Sequence, residues 1–332
     1  MTESRDASRT RSKLILFSKF GLTVLVLVFV GRRSWVLIAN RNFSDISVCP
    51  GWLAASGLLY AFAWFPSVWF WRDMMRSMGE EPELLLCSKA YYAGHLGKYI
   101  PGKAGVLLIR SAYMKEAGHR FGVAILTAAY ETLIVMGVGL IVAGSLASLL
   151  IPEMMLAESW KWIVHWRWLP AAVLLTLAIT AIPVITWILS IVARKFAKSE
   201  NSESQLSSRQ LSRGYLVFAI TWAIMGLSLG AALQSLSDDW LSLADWPLWT
   251  AAISSSTVIG FFAIFTPGGL GVREGIMMEV LRIQPNISAD DAALVAWLLR
   301  VVWLLTELAA FAFFWCVFRW RHSQLNRKNL VT

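Results

Sequence analysis

Six stretches of this chain, residues 14–31, 51–71, 121–151, 168–192, 214–236 and 291–318, are apolar over the length a helix needs to cross a bilayer. A hydrocarbon core of about 30 Å takes ~20 residues at a rise of 1.5 Å each. The sequence therefore predicts an all-α, polytopic integral membrane bundle. Composition agrees: 57% of the residues are hydrophobic and only 15% charged, against about a quarter charged in a soluble domain. A disordered chain, a secreted disulfide scaffold and an ordinary cytosolic enzyme are excluded. The first stretch follows Arg5, Arg9, Arg11 and Lys13, has no small-x-small cleavage site and runs into Gly31-Arg32-Arg33. It reads as an uncleaved span.

Two further stretches are ambiguous. Residues 84–100 carry Lys89, His95 and Lys98 and stop at Pro101-Gly102; residues 249–266 stop at Pro267-Gly268. Each is followed by a shorter amphipathic return, 103–120 and 271–283, so each is either a full crossing or a re-entrant hairpin. Positive charge distinguishes them. If all eight stretches cross from a cytoplasmic N-terminus, 13 Lys and Arg fall inside and 15 outside. If the two ambiguous ones turn back, the split is 21 inside against 7 outside. The charge bias selects six spans plus two hairpins, with both termini cytoplasmic. The net charge of +9 is then an expression of topology and lipid contact rather than of nucleic-acid binding.

That topology has internal symmetry. Span, span, hairpin, span occurs twice with opposite orientation, giving one membrane domain (1–332) built of repeats 14–151 and 168–318, with cytoplasmic tails 1–13 and 319–332. Pro101-Gly102-Lys103-Ala104-Gly105-Val106 aligns with Pro267-Gly268-Gly269-Leu270-Gly271-Val272 at an offset of 166, which also pairs Ser88 with Ser254 and Gly94 with Gly260. Paired broken segments in corresponding halves are the best sequence pointer to a transporter's binding site.

A Pro-Gly break inside the membrane starts a helix at depth, with free N–H groups and the positive end of its dipole exposed. Such a terminus suits a phosphate. Lys98, Lys103 and Arg110 flank the first break and Arg273 follows the second; the alternative is a plain turn whose cations meet lipid phosphates. Inside the spans, Glu131, Arg300 and Glu307 each carry an insertion cost of roughly 2.5–3.5 kcal/mol and are expected to face a cavity or a partner. Glu131 and Arg300 occupy related spans and have opposite signs, so both are expected at the bundle centre, where they could pair. Their role is either a structural lock between the halves or headgroup and proton handling. Ser254, Ser255, Ser256 and Thr257 are expected to permit close helix packing.

Catalytic and metal patterns are not found. The chain has no Walker A sequence, no GxSxG, and no spacing of its three cysteines or four histidines that matches a metal site. No catalytic residue, metal or cofactor is predicted, and the protein is not expected to be an enzyme.

The two Pro-Gly segments carry a resemblance. Gly97-Lys98-Tyr99-Ile100-Pro101-Gly102-Lys103, followed by Arg110, resembles the first signature of the lysylphosphatidylglycerol synthetase/flippase membrane-domain family. Thr266-Pro267-Gly268-Gly269-Leu270-Gly271-Val272-Arg273-Glu274-Gly275 resembles its second. The similarity runs from about residue 14 to 320. It implies a bacterial or archaeal inner-membrane protein that moves, or helps move, a lipid or lipid-linked headgroup. With no room in 332 residues for the family's aminoacyltransferase domain, the chain resembles the stand-alone, flippase-like members. The resemblance carries over Lys98, Pro101, Gly102, Lys103, Arg110, Pro267, Gly268, Gly269, Gly271, Arg273 and Glu274 as substrate-binding candidates. Glu131, Arg300 and Glu307 remain candidates for intramembrane charge or coupling. The expected function is a flippase or scramblase for an anionic phospholipid or a polyprenyl-phosphate-linked sugar. The alternatives are a non-transporting subunit of a lipid or glycan pathway, alone, as a homodimer or with biosynthetic enzymes, and a small-anion transporter.

Overall fold

The computed structural model describes residue 32 and residues 48–99, 104–150, 166–197, 207–237, 239–263 and 266–329. The expected first span, the Pro101-Gly102-Lys103 break and most of the polar loop after residue 194 lie outside the described residues. What is described is all helix. In chain order the elements are α1 (Pro50–Ser77), α2 (Leu84–Leu96), α3 (Gly105–Glu116), α4 (Phe121–Leu150), α5 (Trp168–Ala197), α6 (Ser208–Gln234), α7 (Trp246–Phe262), α8 (Val272–Leu281) and α9 (Ala289–Asn329). Helices α1, α4, α6 and α9 are long and apolar enough to cross a membrane, and α5 is a continuous helix of 30 residues beside them. The protein is a multi-pass membrane protein.

The spans meet through small residues and side-chain hydrogen bonds, the means by which helices associate where lipid removes the hydrophobic incentive. Ser56 of α1 donates to the Ser228 carbonyl of α6 at 2.7 Å, and Thr221 donates to the Ala63 carbonyl at 3.0 Å. Gly139 makes room for the fully buried Trp222, whose indole N–H donates to the Val135 carbonyl at 3.1 Å. Outward faces are apolar and open: Phe62, Trp69, Leu177 and Ile179 are largely exposed, as lipid-facing residues should be.

The two ambiguous segments are hairpins. Helix α2 has 13 residues, α3 has 12, α7 has 17 and α8 has 10, so the longest reaches only about 26 Å. Each pair returns to its starting side. At the base of the first, Glu80 holds both His119 (2.8 Å) and Arg120. At the base of the second, Gln284 donates to Asp245 at 2.6 Å and accepts from the Trp249 indole at 3.2 Å. The bases lie at opposite ends of the bundle. The first sits beside the C-terminal part of α9, where Arg321 pairs with Glu83. The second sits near the N-terminus of α9 and leads directly into it.

Glycines set how closely the arms approach. A Cβ on Gly97 would lie 2.6 Å from the Gly105 carbonyl carbon; one on Gly269 would lie 2.9 Å from the Gly260 carbonyl oxygen. Gly268, Gly269 and Gly271 have φ of 59°, 71° and 84°, a left-handed region that only glycine enters without strain. The tips touch: a Cβ on Gly268 would lie 3.3 Å from the Lys98 carbonyl oxygen and 3.0 Å from Arg300 Nη2.

Candidate functional site

Where the tips meet, a cavity of about 360 Å³ opens. Its polar lining comes from α1 (Tyr60), from the first hairpin (His95, Lys98, Arg110), from α4 (Glu131) and from the second hairpin (Arg273). Leu133, which also lines it, is 62% exposed on the outer face of α4. Among the described residues the cavity therefore reaches the lipid-facing surface.

Three ion pairs surround it. Arg110 binds Glu131, Lys98 binds Glu307 and Arg300 binds Glu274. Every carboxylate here is buried, and each cation satisfies a charge that could not stand alone in a low-dielectric interior. Tyr91 donates to Glu131 at 2.6 Å and stacks against the Arg110 guanidinium, 3.7 Å from ring centroid to Cζ. Tyr60 donates to Glu307, and His95 Nδ1 lies 3.7 Å from the same oxygen.

Glu131 and Arg300, which could have paired with each other, do not. Each residue finds its partner on the hairpin immediately before its own helix, because the hairpin tips lie between the two spans. The partner is Arg110 for Glu131 and Glu274 for Arg300. Polarity is reversed between the halves: the cation is on the hairpin in the first and on the span in the second. At the tips, the halves are cross-connected by Lys98–Glu307, from the first tip to the last helix.

A second correction concerns the anion-binding helix starts. The N-terminus of α8 is not open, since Glu274 folds back to accept the Gly271 N–H at 2.7 Å while its other oxygen binds Arg300. Glu274 is an internal cap and counter-ion there. Gly269 and Gly271 build the tip, Gly268 also offers its carbonyl to Arg300 at 3.3 Å, and Pro267 begins the tip's single 3₁₀ turn. Pro101, Gly102 and Lys103 fall outside the described residues.

Arg273 stands apart. Among the described residues no carboxylate lies within ion-pair distance of it; its guanidinium sits 4.6 Å from the Trp303 ring centroid and lines the cavity. Among the described residues around the meeting point there are thus four cations (Lys98, Arg110, Arg273, Arg300) and three carboxylates (Glu131, Glu274, Glu307). The surplus is one positive charge.

Sequence reasoning passed over the aromatic frame. Tyr60 and Trp64 are one turn apart on α1, as are Tyr91 and His95 on α2, and Trp303 lies between Arg300 and Glu307 at helical spacing. Tyr60 stacks on Trp303 at 4.2 Å, and Trp64 meets His95 edge-on at 4.7 Å. The available signal was the i, i+3, i+4 registration of hydrogen-bonding aromatics with the intramembrane charges. Of the small polar run, Ser254 and Ser255 donate back to their own helix, as close packing predicts. Thr257 differs: it lines the cavity and its buried hydroxyl has no partner.

No curated protein matches the chain. The family model described as the lysylphosphatidylglycerol synthase TM region matches residues 14–319, which takes in both hairpins and every residue of the charged cluster. The chain belongs to the lysylphosphatidylglycerol synthase transmembrane-region family.

Proposed function

We propose that this protein translocates an anionic phospholipid or a polyprenyl-phosphate-linked headgroup across the inner membrane, as a flippase or scramblase and not as an enzyme. One observation carries the reading: the cation without a carboxylate, Arg273, lines a cavity where two oppositely directed hairpin tips meet. A half-buried guanidinium with no carboxylate beside it among the described residues favours a phosphate, which it can bind through two parallel hydrogen bonds. The exposed flank at Leu133 supports a guest whose headgroup sits in the cavity while its tails stay in lipid; a water-soluble anion would require lateral closure. In this reading the first hairpin enters from the cytoplasm, the second from outside, and both chain termini are cytoplasmic. The membrane lipid is the principal partner.

Purified protein in liposomes containing a fluorescent headgroup-labelled phospholipid, treated with a bilayer-impermeant quencher, tests this. Wild type should accelerate loss of the protected inner-leaflet signal, and Arg273→Ala should slow it by about tenfold or more, the value of a charge-assisted hydrogen bond. No acceleration with any anionic phospholipid or polyprenyl phosphate would favour a non-transporting subunit.

A further inference from the structure

Glu307 differs from the other two carboxylates of the cluster in how its oxygens are used. Glu131 gives one oxygen to Tyr91 and one to Arg110; Glu274 gives one to Arg300 and one to the Gly271 N–H. Glu307 is fully buried and gives Oε1 to both Lys98 and Tyr60, with His95 close by, while Oε2 has no hydrogen-bond partner among the described residues. A buried carboxylate oxygen without a donor is costly as an anion and well suited to hold a proton.

Its counter-ion is also of a different kind. Glu131 and Glu274 are held by arginines, planar and permanently charged. Lys98 is a compact charge on a flexible stem. Its side chain is 25% exposed and lines the cavity, so a guest anion can reach it. If a phosphate takes Lys98, Glu307 is left as an isolated charge at 0% exposure, a state several kcal/mol above its protonated form.

We propose that anion binding in the cavity is coupled to protonation of Glu307: the guest replaces Glu307 on Lys98, and one proton from solution forms an O–H bond at Glu307 Oε2. Lys98 keeps its own proton throughout. A monoanion and a proton add no net charge, so the cavity keeps its electrostatic balance and a proton gradient can drive the guest. His95, which lines the cavity 3.7 Å from Oε1, stands on the route the proton would take. The titratable groups facing Glu307 are Tyr60 of α1 and Tyr92, His95, Lys98 and Tyr99 of the first hairpin. Arg300 lies two turns away on its own helix. Helix α6 contributes the uncharged Ser228, which accepts from Trp303 at 3.1 Å. Of these only Lys98 is both in direct contact with the carboxylate and displaceable by an anion. The proposal rests on the anion-binding reading above and adds the coupling.

The experiment separates the two. The full chain in detergent is mixed with a short-chain, soluble phosphatidylglycerol in weak buffer containing a pH indicator, and binding and proton uptake are read together. Wild type should take up about one proton per lipid bound, with affinity falling about tenfold per pH unit once Glu307 must be protonated against the solution. Glu307→Gln, which leaves Lys98 without a competitor, should bind more tightly at alkaline pH, independently of pH and without proton uptake. His95→Gln should retain the uptake. Binding without proton uptake in wild type overturns the coupling and leaves the anion site standing. No binding of this lipid or of inorganic phosphate overturns both. Equal uptake in wild type and Glu307→Gln places the proton elsewhere and overturns the assignment. If Glu307→Gln does not fold, the wild-type stoichiometry decides whether binding takes up a proton, and Glu307→Asp, which should keep the uptake with a shifted pH dependence, tests its place.

Discussion

The two hairpins are similar in course and opposite in chemistry. The first brings cations to the centre: Lys98 near its tip and Arg110 on its return arm, each bound to a glutamate on a full-length span. The second brings a carboxylate and a cation one residue apart. Glu274 is fixed to Arg300, while Arg273 is left facing the cavity. The first hairpin is thus anchored through its charges. The second is anchored through its carboxylate, Glu274, and has three left-handed glycines at the tip; both have a close glycine crossing, Gly97 with Gly105 and Gly260 with Gly269. A cation held by a carboxylate can exchange its partner for an arriving anion, and the anchoring cations Lys98 and Arg110 are on the first hairpin, so the first hairpin is the one equipped to respond to a guest.

The comparison can be broken most directly at Arg110. Arg110→Ala leaves Glu131 buried and uncompensated, and should destabilise the protein by about 3–5 kcal/mol, read as thermal or denaturant unfolding in detergent. The double variant Arg110→Met/Glu131→Leu should recover most of that loss; a double variant as unstable as the single would show that shape, not charge, holds the first hairpin. At the second hairpin the sensitive position is glycine. Gly269→Ala forces a left-handed backbone and a contact with Gly260, which should cost about 1–3 kcal/mol, whereas Gly118→Ala, with φ of 90° but open space around its Cβ, should cost less. Arg273→Ala removes no ion pair. Its effect on stability should stay within the roughly 0.5–2 kcal/mol of a cation–π contact while translocation slows by about tenfold or more, and a larger fall in stability would argue that Arg273 is structural.

The smallest effect concerns the base of the first hairpin, outside the membrane. Burial raises the Glu80 pKa, but hydrogen bonds from Arg120 and His119 outweigh it and hold the carboxyl below its usual value. A depressed carboxyl contributes stability above its unfolded pKa and loses it as pH falls through the folded one. Stability measured from neutral pH downward should therefore decline at acid pH in wild type, and Glu80→Gln should be less stable at neutral pH with a flatter profile. An unchanged profile would mean that this clasp does not fasten the hairpin.

Much of this was legible in the sequence. The described long helices fall where hydropathy put them, and the two Pro-Gly segments form hairpins that turn back, as the distribution of Lys and Arg required. That both intramembrane glutamates would face a cavity or a partner followed from the price of charge in lipid. Their partners did not follow. Glu131 and Arg300 were matched by symmetry and sign, yet each pairs with a neighbouring hairpin, because partner choice depends on which helix face turns toward which tip. Hydropathy and charge counts are one-dimensional and carry no such information. Sequence reads Arg273 as a cation beside a break and Arg300 as a charge within a span; only the fold makes Arg300 a counter-ion and leaves Arg273, among the described residues, without a carboxylate.

The sequence by itself determined what the bilayer enforces: which segments are apolar helices, where they are interrupted, and that charges at depth need company. These depend on local composition and on transfer energies summed along the chain. Tertiary structure decided the pairing of the charges, the unused oxygen of Glu307 and the cavity at the two tips. Those properties arise from distances of a few ångströms between residues as far as 247 positions apart, as between Tyr60 and Glu307, and only packing brings such residues together.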